Sequence, residues 1–378
     1  MNSSVRLQKK DDSGLSNIWL SFVPFFLYSY IPAIIGGNIY WVIWSFYSLL
    51  ITFSLPRIVG FLDVKTLNRV FLVYSLIVSG IILLEVFGPG EVREYLSYLK
   101  ISENVSDVDE YLNRFVGRYS GIIADVPSAG CVLGLSLSLL LTYHDKAEAL
   151  FEAKSVRAFL WVLMPITFFT MIFSSRTWFI MISIYLVAFM IWRKQLIELI
   201  GLVFFLVISF FLLIRNESVN VALKMLQYVL PMFTLRFHDV NALFSLGQEY
   251  HALDSFLRLH WMYKVFGTGL PANYESMQTD IGFLRYAIGL GIVGTVLLLY
   301  GYVNVVTSLI KKYRFDSWSV PIIFGTVSLI IYNFKGTSLH GLYIFPIYIL
   351  VLVLCIRNME VEHQGWGYQE SMQFAKDF

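Results

Sequence analysis

The sequence is poor in charge. Of its 378 residues only 14% are Asp, Glu, Lys or Arg, against ~25% in ordinary soluble domains. In contrast, 57% of the residues are hydrophobic and 17% are aromatic. So few charges cannot cover the surface of a globular protein of this size, which excludes a soluble enzyme.

Cysteine and histidine are also scarce. Cys131 and Cys355 are the only cysteines, and each lies in an apolar run, which excludes a disulfide framework and a cysteine zinc site. The histidines at 238, 260 and 340 have spacings that match no metal signature. We therefore expect neither a metal nor another cofactor, and nothing in the composition points to a nucleic-acid partner.

Long apolar runs dominate what remains. Since one crossing of a bilayer needs ~20 apolar residues as a helix, the runs predict about ten transmembrane helices in a single integral membrane domain, 1–378. The runs cover residues 17–35, 39–56, 70–87, 120–143, 158–173, 177–192, 196–214, 281–310, 318–334 and 341–356.

The gaps between these runs differ in basic residues. If ten helices alternate in direction, most Lys and Arg fall on one side, which the positive-inside rule assigns to the cytoplasm together with both termini. These residues are Arg6, Lys9, Lys10, Arg57, Lys65, Arg69, Lys146, Lys154, Arg157, Arg193, Lys194, Lys311, Lys312, Arg314 and Arg357.

The opposite side carries one very long gap, residues 215–280, between the seventh and eighth helices. Loops longer than ~12–15 residues are usually functional or disordered, and this one is too rich in aromatic residues to be disordered. Apolar residues from Leu246 to Trp261 recur at helical spacing, with His251, Asp254 and Arg258 on the other face. We predict a partly helical loop subdomain that packs on the membrane domain.

Arg176 interrupts an apolar stretch of 35 residues, 158–192. A continuous helix of that length would span ~52 Å, more than the ~30 Å hydrocarbon core. The chain must therefore turn at Ser174–Thr177. Two short arms put this turn below the membrane surface, where an arginine usually faces a water-filled cavity or a partner; the alternative is an arginine that reaches lipid phosphate.

Four further arginines lie on the same side as Arg176: Arg215, Arg236, Arg258 and Arg285. Because a guanidinium group grips two phosphate oxygens at once and stays charged, this set suits a diphosphate. Two ordinary alternatives stay open. Arg258 has Asp254 one turn before it, and Arg215 can anchor a helix end at the lipid headgroups.

Residues 266–294 read FGTGLPANYESMQTDIGFLRYAIGLGIVG. Gly267, Gly269 and Pro271 predict a tight turn, and Glu275 and Asp280 precede the eighth helix, where Asp280 is either a functional carboxylate or a helix cap. The glycines at 289, 291 and 294 match G-x-G-x-x-G but lie in an apolar helix with no strand before it, which argues against dinucleotide binding. Close helix packing explains them better.

Taken together, these residues resemble the O-antigen polymerases. The resemblance rests on Ser175-Arg176-Thr177, on Arg258 and Trp261 before Phe266-Gly267-Thr268-Gly269, and on Asp280-Ile281-Gly282 leading into Gly291-Ile292-Val293-Gly294. It covers about a third of the chain. The related O-antigen ligases tend to carry a His-Asn pair near Thr279 and Asp280, and this departure favours a polymerase.

The resemblance implies a bacterial inner-membrane enzyme whose active site faces the periplasm. Such an enzyme transfers a growing glycan from undecaprenyl diphosphate to the next lipid-linked repeat unit. Its partners are the lipid-linked donor and acceptor, membrane lipids and, as a candidate, a chain-length regulator protein.

Each candidate residue then takes a role. Arg176 and Arg258 hold the donor diphosphate, Arg236 or Arg285 contacts the acceptor diphosphate, and Arg215 is a further diphosphate ligand. Asp280 is the first choice of general base, followed by His260 and Glu275. Trp261, Tyr263 and Tyr274 stack on sugars.

A transporter or flippase of lipid-linked glycans is an alternative of a different class, since a cationic cavity would serve it equally. Transporters usually contain two related halves, whereas this chain has one long loop on one side and no internal repeat.

Overall fold

The computed structural model describes residues 13–98, 126–146, 154–194, 201, 253–270, 282–313, 315–333 and 344–376, and every regular element among them is a helix. The helices are α1 (Ser13–Tyr28), α2 (Tyr30–Gly36), α3 (Tyr40–Gly60), α4 (Val64–Phe87), α5 (Gly90–Tyr98), α6 (Val126–Asp145), α7 (Lys154–Ser174), α8 (Arg176–Trp192), α9 (Trp261–Phe266), α10 (Gly282–Tyr313), α11 (Ser319–Tyr332) and α12 (Ile344–Lys376). Residues 253–258 are also helical.

Within this described part of the chain, six helical stretches are long and apolar enough to cross a membrane, and two shorter apolar helices accompany them. The described part of the chain is therefore all-helical, and the protein is a polytopic membrane protein. Nine of the ten predicted runs lie wholly or partly on described helices. The run 196–214 lies outside the described residues except for Gly201, so the number of ten crossings stays a prediction.

Helix α6 forms the centre of the bundle. Its side chains from Ser128 to His144 are all buried, and it packs against α4, α7, α8, α11 and α12. Two glycines let α8 approach closely: a Cβ at Gly134 would lie 2.7 Å from the Trp178 ring, and one at Gly130 would lie 2.2 Å from the Ser175 side chain. A helix surrounded on all sides explains why its sequence is apolar or small throughout.

The predicted turn within residues 158–192 is confirmed. Helix α7 ends at Ser174 and α8 begins at Arg176, with Ser175 extended between them (φ −138°, ψ 114°). The two arms pack against each other, so the chain reverses where the length argument required it.

One end of the bundle, which we call the far end, gathers predicted cytoplasmic residues. Arg193 at the end of α8 pairs with Asp145 at the end of α6, and Lys146 pairs with Glu362 of α12 at 3.1 Å. The Ser317 hydroxyl, before α11, donates to Asp145 at 3.4 Å. The grouping agrees with the alternation that the basic residues predicted, and the assignment of this end to the cytoplasm stays a prediction.

The opposite end, which we call the loop end, contains the starts of α8 and α10 and the end of α11. The Phe283 N–H donates to the Asn333 carbonyl at 3.0 Å, and the ring centroids of Trp178 and Tyr332 lie 5.9 Å apart in a tilted contact. These contacts bring the first turns of α8 and α10 to the same end of the molecule.

Two expectations about helix continuity are wrong. The helix expected from Leu246 to Trp261 is interrupted at residues 259–260, where α9 starts anew; residues 246–252 lie outside the described chain. Helix α10 is interrupted at Gly291 (φ 72°, ψ 173°). The break is thus at Gly291, with Gly289 and Gly294 on either side of it. Close packing accounts for Gly291, because residues 265–267 lie against it.

Candidate functional site

The segment from Trp261 to Leu270 folds back onto α10 at the loop end. The Thr268 N–H donates to the Ile288 carbonyl at 2.9 Å, and the Gly269 N–H donates to the Gly289 carbonyl at 3.0 Å. The Thr268 hydroxyl also donates to Ile288, at 3.0 Å. The two halves of the motif noticed in the sequence, 266–269 and 289–294, are thus in direct contact.

These bonds reach α10 two and three residues before its break at Gly291. Carbonyls before a helix break lose their partners four residues later and need other donors when they are buried. The segment supplies donors to Ile288 and Gly289. Gly291 itself has no room for a side chain, since a Cβ would lie 2.3 Å from the Val265 carbonyl oxygen.

Gly267 and Gly269 have positive φ angles of 88° and 74°, a backbone conformation that glycine adopts more readily than other residues. Both are buried between α10 and the hairpin formed by α1, α2 and α3. This stretch crosses the broken helix. Pro271, the third residue of the predicted turn, lies outside the described residues, so the tight turn stays a prediction.

Arg258 lies just before this segment, on the helical residues 253–258. Its side chain is 79% exposed and forms an ion pair with Asp254 at 2.7 Å, as one of the sequence alternatives predicted. An exposed pair of this spacing contributes only ~0.3–0.5 kcal/mol. The guanidinium group can therefore exchange Asp254 for a more highly charged ligand at little cost.

Arg285 lies in the first turn of α10 and is half-buried. The neighbouring Leu284 and Ile288 pack against Phe256, two residues before Arg258. This packing holds residues 253–258 against the first turns of α10, so Arg258 and Arg285 belong to adjoining elements.

Arg176 is the first residue of α8. Trp178, two residues later, contacts Tyr332, and the next residue, Asn333, accepts the hydrogen bond from Phe283 at the start of α10. This chain of contacts puts the backbone of Arg176 at the same end as Arg285.

His260 caps α9. Its Nδ1 accepts the Met262 N–H at 3.4 Å, and the ring is exposed. Trp261 and Tyr263 are exposed at 63% and 37%, available to a ligand at the loop end. The cap uses Nδ1 of His260, and Nε2 takes no part in this contact.

Other predicted site residues lie outside the described part of the chain: Asp280, Glu275, Arg215, Arg236 and Tyr274. Their roles stay predictions. Among the described residues no group of three or more His, Cys, Asp or Glu side chains is arranged to hold a metal ion.

Sequence reasoning missed two residues of the loop end, Tyr28 and Trp41. Both donate side-chain hydrogen bonds to the segment or to the broken helix. Each is an aromatic residue in an apolar helix, a pattern that nothing in the sequence separates from ordinary lipid contact.

Comparisons with protein-family models, with curated proteins and with solved structures find no match to this chain.

Proposed function

We propose that the protein is a membrane glycosyltransferase that polymerises lipid-linked oligosaccharide repeat units, as the O-antigen polymerases do. The observation that carries the proposal is the meeting of the two motif segments, 266–269 and 289–294, at the bundle end where Arg176, Arg258 and Arg285 begin or flank their helices. An apolar helical domain with arginines at one end fits a substrate with a polyprenyl tail and a diphosphate headgroup.

The chemistry needs little more than that arrangement. The acceptor hydroxyl oxygen attacks the anomeric carbon of the donor glycan, and the bond from that carbon to the diphosphate oxygen breaks. The lipid diphosphate leaves with the bonding electron pair. Fixed positive charge stabilises the negative charge that develops on it, and we assign this role to Arg176 and Arg258, with Arg285 or Arg236 toward the acceptor diphosphate.

The hydroxyl proton must pass to a base during the attack. Asp280, two residues before α10 begins, is our first choice, with His260 and Glu275 as the others. His260 keeps Nε2 for this purpose, since Nδ1 accepts the cap hydrogen bond. Trp261, Tyr263 and Tyr274 would stack on sugar rings.

The proposal includes an orientation. The loop end faces the periplasm of a bacterial inner membrane, and the far end, with its basic residues, faces the cytoplasm together with both termini. A cysteine placed at Lys154, near the far end, should then resist labelling from outside intact cells. Labelling there from outside would overturn the orientation.

One observation favours a second candidate, a flippase of the same lipid-linked glycans. Transporter sites are typically built from discontinuous helices, and α10 is discontinuous at Gly291. A flippase moves its substrate across a membrane. A polymerase forms a glycosidic bond and needs no intact membrane to do so.

The test is a reaction in detergent. Purified full-length protein is incubated with lipid-linked repeat units, and the glycans are resolved on a gel. A polymerase yields a ladder of lengthened glycans without any membrane or gradient. Unchanged single repeat units, with the same protein moving the lipid between leaflets of proteoliposomes, would reject the polymerase and support the flippase.

A further inference from the structure

Tyr28 is the last residue of α1, and its hydroxyl lies at the junction between the broken helix and the folded-back segment. The oxygen is 2.9 Å from the Leu290 carbonyl oxygen, 3.2 Å from that of Phe266 and 3.4 Å from that of Val265. The side chain is only 7% exposed. The Tyr28 hydroxyl thus lies among three carbonyls from two elements, and it is nearest to that of Leu290, the residue before the break at Gly291.

Trp41, in the first turn of α3, makes the corresponding contact at the other end of the segment. Its indole N–H donates to the Leu270 carbonyl at 2.8 Å, and the residue is fully buried. The ring also packs edge-on against Tyr286 of α10 at 5.9 Å. The two aromatic donors therefore contact the segment on both sides of residues 267–269.

The helices that carry the two donors are tied to each other and to the segment. The hydroxyls of Ser29 and Ser45 form a buried hydrogen bond of 2.6 Å that ties the turn after α1 to α3. Between the donors, α2 touches the segment so closely that a Cβ at Gly36 would lie 1.7 Å from the Thr268 carbonyl oxygen. The hairpin of α1, α2 and α3 thus contacts the backbone of residues 265–270 closely along its length.

We propose that Tyr28 and Trp41 are positioning residues: their hydrogen bonds to backbone carbonyls fix residues 261–270 on the broken α10 and thereby set the position of Arg258 relative to Arg285. The catalytic consequence rests on the proposed function, because it makes the hairpin of α1, α2 and α3 part of the support of the diphosphate site. The placement of the segment itself does not depend on what the protein catalyses.

The physical basis is the cost of an unmade hydrogen bond. A hydrogen bond within the protein replaces one with water, so its net contribution to stability is small. A buried carbonyl that loses its donor has neither partner, and the full cost of removing it from water remains. Removing the Tyr28 hydroxyl takes this buried donor away from the Leu290 carbonyl and from the neighbouring carbonyls of Phe266 and Val265. The docked segment then opens more often, while the rest of the bundle keeps its packing.

Amide hydrogen exchange measures this opening in the intact protein. The amides of Thr268 and Gly269 are protected only while the segment is docked on α10. In Tyr28→Phe we expect peptides covering 261–270 to exchange about tenfold faster, with peptides from α4 unchanged. Tyr30→Phe is the matched control, since Tyr30 is a neighbouring tyrosine with a 46% exposed side chain, and it should leave both regions at wild-type rates.

Equal exchange in Tyr28→Phe and wild type would overturn the proposal, and so would an equal acceleration in α4, which would mean that Tyr28 supports the whole bundle. Trp41→Phe is the second variant and should accelerate exchange in the same peptides. These measurements use no glycan substrate, so their outcome is independent of whether the protein is a polymerase.

The catalytic consequence is tested by a double-mutant cycle on glycan transfer. If Tyr28 acts through the position of Arg258, Tyr28→Phe lowers the turnover number about tenfold in the wild type and less than twofold in Arg258→Ala. The same tenfold loss in both backgrounds would show that Tyr28 does not act through Arg258. Absence of glycan transfer by the wild type would reject the proposed function and leave the exchange result standing.

Discussion

The two ends of the helical bundle are held together in different ways. At the far end, charged side chains of different helices pair with each other: Asp145 with Arg193, and Lys146 with Glu362. At the loop end, aromatic donors, glycines and backbone carbonyls form the contacts, as for Tyr28 and Leu290. Charges of the far end therefore serve as structural ties, while the exposed Arg258 of the loop end contributes little to stability.

This contrast separates stability from chemistry. A charge that pairs between helices in a partly buried site should matter for folding, and its loss should leave the chemistry of the remaining folded protein intact. An exposed arginine beside an apolar bundle should show the reverse. Substitutions at the two ends should thus affect different measurements.

The largest expected effect is at Asp280. If it accepts the proton of the acceptor hydroxyl, Asp280→Asn slows glycan transfer by ~10² to 10⁴, with protein level unchanged. If it only caps α10, asparagine replaces it with little loss, because its side-chain oxygen accepts the same backbone hydrogen bond. Polymer length on a gel at equal expression, with Asp280→Ala alongside, decides between the two. Near-normal polymer from the Asn variant would move the search for a base to His260 and Glu275.

The next effect is at the arginines. We expect Arg176→Ala and Arg258→Ala each to slow transfer by ~10² to 10³, as loss of one electrostatic donor does, at unchanged thermal stability. Lysine should restore little, since it cannot make a two-pronged contact with phosphate. Initial rates with purified protein provide the measurement. Full activity of Arg176→Lys would instead identify Arg176 as an anchor at the lipid surface.

Gly291→Ala tests how the backbone at the loop end contributes to stability. Its conformation is one that glycine alone adopts readily, so a side chain there costs ~1–3 kcal/mol in strain, and the overlap with the Val265 carbonyl adds to it. We expect a lower melting temperature and faster hydrogen exchange in 261–270. Gly80→Ala in α4 is the control, since nothing lies within 4 Å of the added Cβ. Equal melting temperatures for the two variants would contradict the assignment of a non-helical, closely packed conformation to Gly291.

The smallest of these effects is at the far end. Asp145→Asn removes the charge that pairs with Arg193 and should destabilise the fold by ~1.5–3 kcal/mol, the usual value of a hydrogen bond to a charged group. Transfer per folded molecule should stay at the wild-type rate. A loss of transfer rate without a loss of stability would break the division between the two ends.

The sequence predicted the features that depend on length and local spacing. The turn at Ser174–Arg176 followed from an apolar stretch too long for one crossing, and the pair of Arg258 with Asp254 followed from a spacing of four residues. Both are present in the structure. Bilayer thickness and helix geometry are fixed quantities, so a sequence can be compared with them directly.

The break in α10 and its partners were not predictable in the same way. Gly291 lies in an apolar run where a glycine indicates close packing as readily as a break, and hydropathy does not distinguish the two. The donor that pairs with Leu290 is Tyr28, 262 residues earlier in the chain. Such a contact is set by the packing of three elements, and no local pattern marks a tyrosine for it.

Binding of a polyprenyl diphosphate to the purified protein tests the central claim most directly, because it asks whether the loop end recognises the leaving group. We expect binding by the wild type and by Asp145→Asn at equal affinity, and binding at least about tenfold weaker by Arg176→Ala and Arg258→Ala, in line with the loss of a charged hydrogen bond. The corresponding monophosphate should bind less tightly to the wild type. Equal affinity of all four proteins for the diphosphate would contradict the assignment of the loop end as the diphosphate site.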